Sequence, residues 1–271
     1  MNDAFVEFDK VWLAYTDELL AQGQYAVEDI SLKVNQGEFI AIVGPSGCGK
    51  STFMKLATGL KKPSKGRIVI GGQPVNGPLK ISGMAFQAPS LLPWRTTLHN
   101  VLLPLEIVEP YRSSFKARRG EYEAKARELL KSVGLAGYED KFPWQLSGGM
   151  QQRASICRAL VHEPKMLLLD EPFGALDAFT REELWCTLRD LHAAKKFNVI
   201  LVTHDLRESV FLADTVYCMS RSPGRFVLER RIDLPRPRDL EVTYTPQFTD
   251  IVHELRGHIG AGRAKAGALP P

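Results

Sequence analysis

The chain has 271 residues, of which 44% are hydrophobic and 24% charged, the composition of a globular protein long enough to bury a large core. With 35 Lys and Arg against 31 Asp and Glu the net charge is +4, too small a bias to argue for a nucleic-acid partner. The most apolar stretches, such as Phe39 to Val43 and Met166 to Leu169, are far shorter than the roughly 18 apolar residues that span a bilayer, and the N-terminus carries Asp3, Glu7 and Asp9 where a secretory signal has a basic start. The four cysteines, Cys48, Cys157, Cys186 and Cys218, form no C-x-x-C pair. These features predict a cytosolic protein with reduced thiols.

Near the start, Phe5 to Phe8 and Ile30 to Val34 alternate apolar and polar residues with period two, which predicts an antiparallel flank. Short Val- and Ile-rich runs then recur between helical patterns, at Phe39–Val43, Arg67–Ile70, Met166–Asp170, Val199–Thr203 and Thr215–Met219. That alternation predicts an α/β protein with a mainly parallel, buried core sheet. From Ala88 to about Pro164 the strand signals stop, while Glu121 to Val133 has helical periodicity and ends at Gly134. The expectation is a helical subdomain, about 88–164, inserted into a domain spanning 1–231. Arg112 to Lys131 is rich in basic residues, as befits either a contact surface or a solvated helix face. Residues 232–271 form an extension whose last dozen or so residues, from Gly260, have a composition that cannot support a core and predicts disorder.

Gly44-Pro45-Ser46-Gly47-Cys48-Gly49-Lys50-Ser51 fits G-x-x-x-x-G-K-[ST], follows an apolar strand and precedes a helical segment ending near Gly59, the context required of a phosphate loop, with Thr52 next to it also expected to bind the nucleotide. Its glycines let successive N–H groups and the helix N-terminus face phosphate oxygens. Lys50 is placed to reach the β- and γ-phosphates and Ser51 to ligate Mg²⁺. The metal needs a second oxygen ligand, and Met166 to Glu171 supplies an apolar strand ending in two carboxylates: Asp170 to hold Mg²⁺ and Glu171 to polarise an attacking water. No N-K-x-D element is present, so adenine is favoured over guanine. Cys48, inside the loop, predicts sensitivity of nucleotide binding to thiol reagents.

Between these elements stands Leu146-Ser147-Gly148-Gly149-Met150-Gln151-Gln152-Arg153, and with it the chain, from about Phe5 to Arg231, resembles the ATP-binding subunit of an ATP-binding cassette (ABC) transporter. The resemblance implies a P-loop NTPase fold of ABC type and ATP hydrolysis with Mg²⁺. It also implies roles: Gln87 as the Q-loop glutamine that senses Mg²⁺ or water, Ala175-Leu176-Asp177 as the D-loop, and His204 as the switch histidine that contacts the γ-phosphate and orients Glu171. Asp177 is equally suited to cap the helix that starts near Phe179. Ser147, Gly148 and Gly149 are implied to meet the nucleotide of a second copy, so that a homodimer sandwiches two ATP molecules and hydrolysis reopens it. An adenine-stacking aromatic is expected ahead of the loop, where Tyr15 is favoured over Tyr25.

The implied partners are two membrane permease subunits, reached through the helical insert around Leu91 to Arg95, and, indirectly, a periplasmic or extracellular solute-binding protein, with the chain peripheral on the cytoplasmic face of the cell membrane. No nucleic acid is expected. The Leu92-Pro93-Trp94-Arg95 run and the length are similar to the importer group for nitrate, sulfonates and taurine. The alternatives are a non-transport ABC ATPase acting on DNA or ribosomes, which usually carries two cassettes or a coiled-coil insertion, and a small-molecule P-loop kinase, which has no use for Leu146 to Arg153.

Overall fold

The computed structural model describes residues 4–221 and 223–266. The chain divides into two compact units, one made of the residues up to Leu79 and from Asn198 onward, the other of Lys80–Phe197. The first opens with β1 (Val6–Leu13), a short helix α1 (Asp17–Ala21), β2 (Val27–Val34), β3 (Phe39–Val43), α2 (Lys50–Ala57), β4 (Lys65–Ile70) and β5 (Gln73–Pro74). The second holds β6 (Ser82–Ala85), α3 (Thr97–Ile107), α4 (Tyr111–Ser114), α5 (Arg119–Ser132), α6 (Gly148–Leu160), β7 (Met166–Asp170) and α7 (Ala178–Lys195). The chain returns to the first with β8 (Asn198–Thr203), α8 (Leu206–Leu212), β9 (Thr215–Met219), β10 (Phe226–Arg231), a 3₁₀ turn at Leu240–Tyr244 and α9 (Pro246–Ala266).

In the first unit β3 lies between β8 and β9, parallel to both, with Val43 opposite Thr203 and Cys218. All five residues of β3, all six of β8 and all five of β9 are buried, which is why their sequences read as unbroken apolar runs rather than alternations. β10 closes this sheet antiparallel to β9. A second sheet, in the order β2-β1-β4-β5, is antiparallel throughout. The run Arg67–Ile70 belongs here and not to the parallel core: its β4 pairs with β1, Ile70 opposite Val6, and its first three residues are exposed. The helix α2 joins the layers, with Phe53 stacked on Phe8 at 4.7 Å between ring centroids and both rings fully buried; side chains of this size contribute about 1.5–3 kcal/mol each when taken from water.

The second unit is wider than the expected insert of 88–164. It takes in the parallel pair β6–β7, with Ala85 opposite Leu169, and α7. Its helical part is α3, α5 and α6, which pack through Leu98, Val101, Leu102, Leu105, Tyr122, Ala126, Leu130, Ile156 and Cys157, all buried. Gly134, at φ +75°, ends this stretch as the sequence predicts.

The tail differs from expectation. Helix α9 runs to Ala266, so residues 260–266 continue a helix; alanines at 261, 264 and 266 favour propagation once a helix is anchored upstream. The remaining expectation for 267–271 lies outside the described residues.

Candidate active site

In the first unit, β3 delivers the chain into the loop Gly44 to Gly49 and α2 carries it away. Gly49 has φ +104°, and a Cβ there would lie 2.8 Å from Val27 Cγ1 and 3.2 Å from the Ala26 carbonyl oxygen, so this residue must be glycine on both conformational and steric grounds. The first amides of α2 have no intrahelical acceptors and present an anion site at the loop. Lys50 is buried at 7% exposure; its Nζ donates to the carbonyls of Gly44 (2.8 Å) and Pro45 (3.1 Å), tying the lysine to the start of the loop. Ser51 is exposed on the first turn of α2, and Thr52 is buried.

Tyr15, beyond the end of β1, shares a hydrogen bond between its hydroxyl and Thr52 Oγ1 at 2.8 Å. Its ring is 42% exposed, with Lys55 and Lys61 over it at 5.5 and 5.9 Å. Tyr25 instead meets Trp12 edge-on at 4.8 Å. Of the two tyrosines, Tyr15 is the one joined to the phosphate-loop helix.

His204 follows Thr203, whose register partner is Val43, so the histidine and the phosphate loop leave the same edge of the parallel strands, where open α/β sheets bind ligands. Its setting is fixed on both sides. The Thr203 hydroxyl donates to buried Glu208 and accepts from the Asp205 amide at 2.9 Å, while Asp205 caps α8 through the amides of Arg207 and Glu208. His204 itself is exposed.

Cys48 contradicts the expectation of ready thiol reactivity. It is 1% exposed, and burial pushes its thiol up from the ordinary range, with neighbouring Lys50 pulling the other way. The partly exposed cysteine is Cys186.

In the second unit, the parallel register of β6 and β7 brings Gln87 and the Asp170-Glu171 pair out of one strand edge. Glu171 has φ +47°, a left-handed conformation that is uncommon for a residue with a side chain and concentrates at functional turns. Asp177 caps α7, accepting from the Thr180 amide at 3.0 Å, and this bond holds its carboxyl below the usual carboxylate range; the capping role is thus realised.

Ser147 caps α6, accepting from the Met150 amide at 3.3 Å, and both Ser147 and Gly148 are exposed. Gly149 is buried against α7: a Cβ there would come 2.3 Å from Thr180 Cγ2, so any larger residue would push the signature off the helix that Asp177 caps. Further along α6, Gln152, 1% exposed, donates from Nε2 to the Phe86 carbonyl at 3.0 Å. Arg158 donates to the carbonyls of Ser90 and Pro89, both at 2.8 Å. The signature helix therefore grips the backbone on either side of Gln87. Sequence reasoning missed this role for Gln152 and Arg158; the available signal was a polar and a charged residue on a helix that is otherwise largely apolar from Ala154 to Leu160.

Two features are shared with known proteins. Residues 27–174 match the family model described as ABC transporter. The chain belongs to the ABC transporter family. Among curated relatives, this ABC ATPase is 45% identical to the aliphatic sulfonates import ATP-binding protein SsuB of Bacillus licheniformis, over 78% of this chain and 79% of that one. It is 45% identical to the taurine import ATP-binding protein TauB of Yersinia pestis, over 76% and 78%, and 41% identical to the nitrate import ATP-binding protein NrtD of Synechococcus elongatus, over 93% and 90%. Among solved structures, a dimeric post-hydrolysis state of the ATP-binding cassette MJ0796 bound to ADP and Pi has TM-score 0.70 and 32% identity, covering 85% of this chain and all of that one. The cassette cbiO1 of Clostridium perfringens has TM-score 0.75 and 26% identity, covering 97% and 99%. The fold is that of an ABC ATPase cassette, and the reaction is ATP hydrolysis.

Proposed function

We propose that this ATPase is the motor subunit of a bacterial importer for small oxyanions of the sulfonate, taurine or nitrate type, acting as a homodimer on two separate membrane subunits and, through them, on a solute-binding protein. Support for the solute class comes from relatives named for sulfonates, taurine and nitrate. Among the described residues no helix is long and apolar enough to cross a membrane, which fits a cassette lying on the cytoplasmic face. The observation that carries the reading is the exposed start of α6: Ser147 and Gly148 offer a hydroxyl and helix amides, an anion site, on a surface open to a second nucleotide-loaded copy.

In this reading each ATP meets Lys50 and the loop amides of one copy, Tyr15 under its adenine, and Ser147 to Gly149 of the other. The residues this reading assigns to a metal are Ser51, in the first unit, and Asp170 and Gln87, in the second; no cluster of three or more His, Cys, Asp or Glu is present among the described residues. Such a sparse, hard donor set fits Mg²⁺, which keeps several waters and relies on phosphate oxygens. When bound, Mg²⁺ neutralises charge on the β- and γ-oxygens. Glu171 takes the proton of the attacking water, His204 contacts the γ-phosphate, and dimer closure excludes bulk water.

The docking surface for the membrane subunits is the turn from Leu92 to Thr96. Buried Asn100 holds it, accepting from the Leu92 amide at 2.7 Å and donating to the carbonyls of Leu92, Arg95 and Thr96. Arg95 adds an ion pair with Glu106, its Nη1 donating to both carboxylate oxygens at 2.9 Å. Trp94 is displayed at 71% exposure, on the rim of a cavity of about 330 Å³ also lined by His99, Phe115, Arg119 and Phe142.

Glu171→Gln tests the dimer. It keeps the shape but removes the base, lowering hydrolysis by about 10²- to 10⁴-fold, and ATP then traps a dimer visible by size-exclusion chromatography. Adding Ser147→Arg abolishes the dimer while each monomer still binds ATP. Loss of monomer binding in a folded double variant would place Ser147 in its own subunit's site and end the sandwich reading.

A further inference from the structure

The segment that follows β10 is fastened to the helix that begins after His204. After Ile232, whose amide donates to the Asp214 carbonyl at 2.8 Å, the chain sends two arginines under α8. Arg238, 2% exposed, donates from Nη1 to the carbonyls of Val210, Phe211 and Ala213, at 2.9, 3.1 and 2.6 Å, and from Nη2 to Ile232 at 3.2 Å. Arg236 donates to the Leu212 carbonyl at 2.7 Å and pairs with Asp214. The carbonyls that end α8, which the helix cannot satisfy itself, are thus met by guanidinium groups from one short stretch, and the cations lie at the negative end of the helix dipole. Burial lowers the Arg238 pKa to about 10, which leaves it charged at neutral pH.

The same extension holds the other end and the flank of α8. Thr243, in the 3₁₀ turn, accepts from Arg207 Nη2 at 3.3 Å. Helix α9 packs on α8, with Phe248, Ile251 and Leu255 buried at 1%, 4% and 0% exposure, one face at helical spacing. At its start α8 is tied to the two residues that flank His204 in the chain: Glu208 accepts from the Thr203 hydroxyl and donates its amide to Asp205, whose own amide donates to Thr203. α8 has only seven residues, so a displacement at its C-terminal carbonyls reaches its first turn without being absorbed.

From this we infer that Arg238 is a positioning residue for hydrolysis: residues 232–266 set the place of His204 by clamping α8, and the extension is a control point on the catalytic step rather than on nucleotide binding. The inference rests on the γ-phosphate role proposed above for His204. Lys50 and Ser51 belong to α2, a separate element from α8, so ATP affinity and hydrolysis separate when the clamp is loosened.

The test is a double-mutant cycle in the full chain. Arg238→Met keeps much of the apolar stem and removes the four hydrogen bonds; kcat falls about tenfold while ATP affinity, measured with a non-hydrolysable analogue, stays within about twofold, and Arg238→Lys recovers part of the loss. In a His204→Ala background, adding Arg238→Met costs nothing more, because both act through the same histidine. An equal further loss in that background, or an unchanged kcat in Arg238→Met, overturns the inference. An unchanged kcat in His204→Ala alone marks a different failure, that of the γ-phosphate role itself. If Arg238→Met does not fold, Arg236→Gln at an exposed position, with the near-isosteric Thr243→Val, loosens the same helix, and the same cycle applies.

Discussion

Arg158 offers a measurable handle on the Q-loop. Replacing it by Met keeps much of the stem packing and removes two donors that hold the carbonyls of Pro89 and Ser90 at 2.8 Å each. Hydrogen bonds from a charged donor contribute about 1.5–3 kcal/mol each. Burial, which pulls the Arg158 pKa down, shows that desolvation offsets part of this, so a net of about 2 kcal/mol for the pair is reasonable. Opening of the loop then becomes about 30-fold more frequent. Hydrogen exchange on a peptide covering Phe86 to Ser90 should quicken by about that factor, while the Leu92 amide, held separately by Asn100, keeps its protection. Hydrolysis should fall with it, since Gln87 loses its fixed setting. Unchanged exchange at 86–90 in a folded Arg158→Met protein would refute the claim that α6 holds this loop.

Two further outcomes follow from exposure. Bulky thiol reagents at neutral pH should label Cys186 first. Cys48 and Cys218, the latter pushed up to about 12, gain thiolate only as pH rises toward their raised values, so their labelling accelerates in alkali; rapid modification of Cys48 near neutrality, read by peptide mass spectrometry, would contradict its burial. Trp94→Ala should weaken co-purification with the membrane subunits while ATP binding by the isolated chain is unchanged, and equal loss of ATP binding would refute the docking role of Trp94.

Where chemistry is local in sequence, the sequence was legible. The glycine spacing and Lys50 define a loop whose partners lie within a few residues, as Lys50 to Gly44 and Pro45 shows. Ser147 and Asp177 cap the helices that follow them, because an N-cap bond spans only three residues. What escaped depends on distant pairing. Arg67–Ile70 reads as another apolar core run, and only its partner β1 assigns it to the antiparallel sheet. The grip of Gln152 and Arg158 on the Q-loop spans 66 to 69 residues, and Arg238 reaches back 25 to 28 residues to α8. A side chain bonding a remote carbonyl leaves no periodic trace. Cys48 escaped for a different reason: the motif fixes its place in the loop but not which way its side chain turns.

Helix α6 joins the chemistry of the second unit into one body. Its 13 residues span about 20 Å, with Ser147 at the tip, Gly149 against Thr180, Gln152 on Phe86 and Arg158 on Pro89 and Ser90. A helix of this length transmits a push along its axis, and these attachments are to backbone or to a closely packed side chain, so a shift of the signature is carried to the Q-loop. The Q-loop runs directly into the turn that displays Trp94, and Asn100, which fixes that turn, belongs to α3, a helix packed on α6. In the proposed function, a phosphate at Ser147 and a membrane partner on Trp94 thus act on the same element. Coupling between two binding events is reciprocal: whatever factor a membrane partner adds to the signature's affinity for nucleotide, nucleotide must add to the affinity for that partner. In the proposed function, closure around ATP and tightening on the membrane subunit are then coupled through α6.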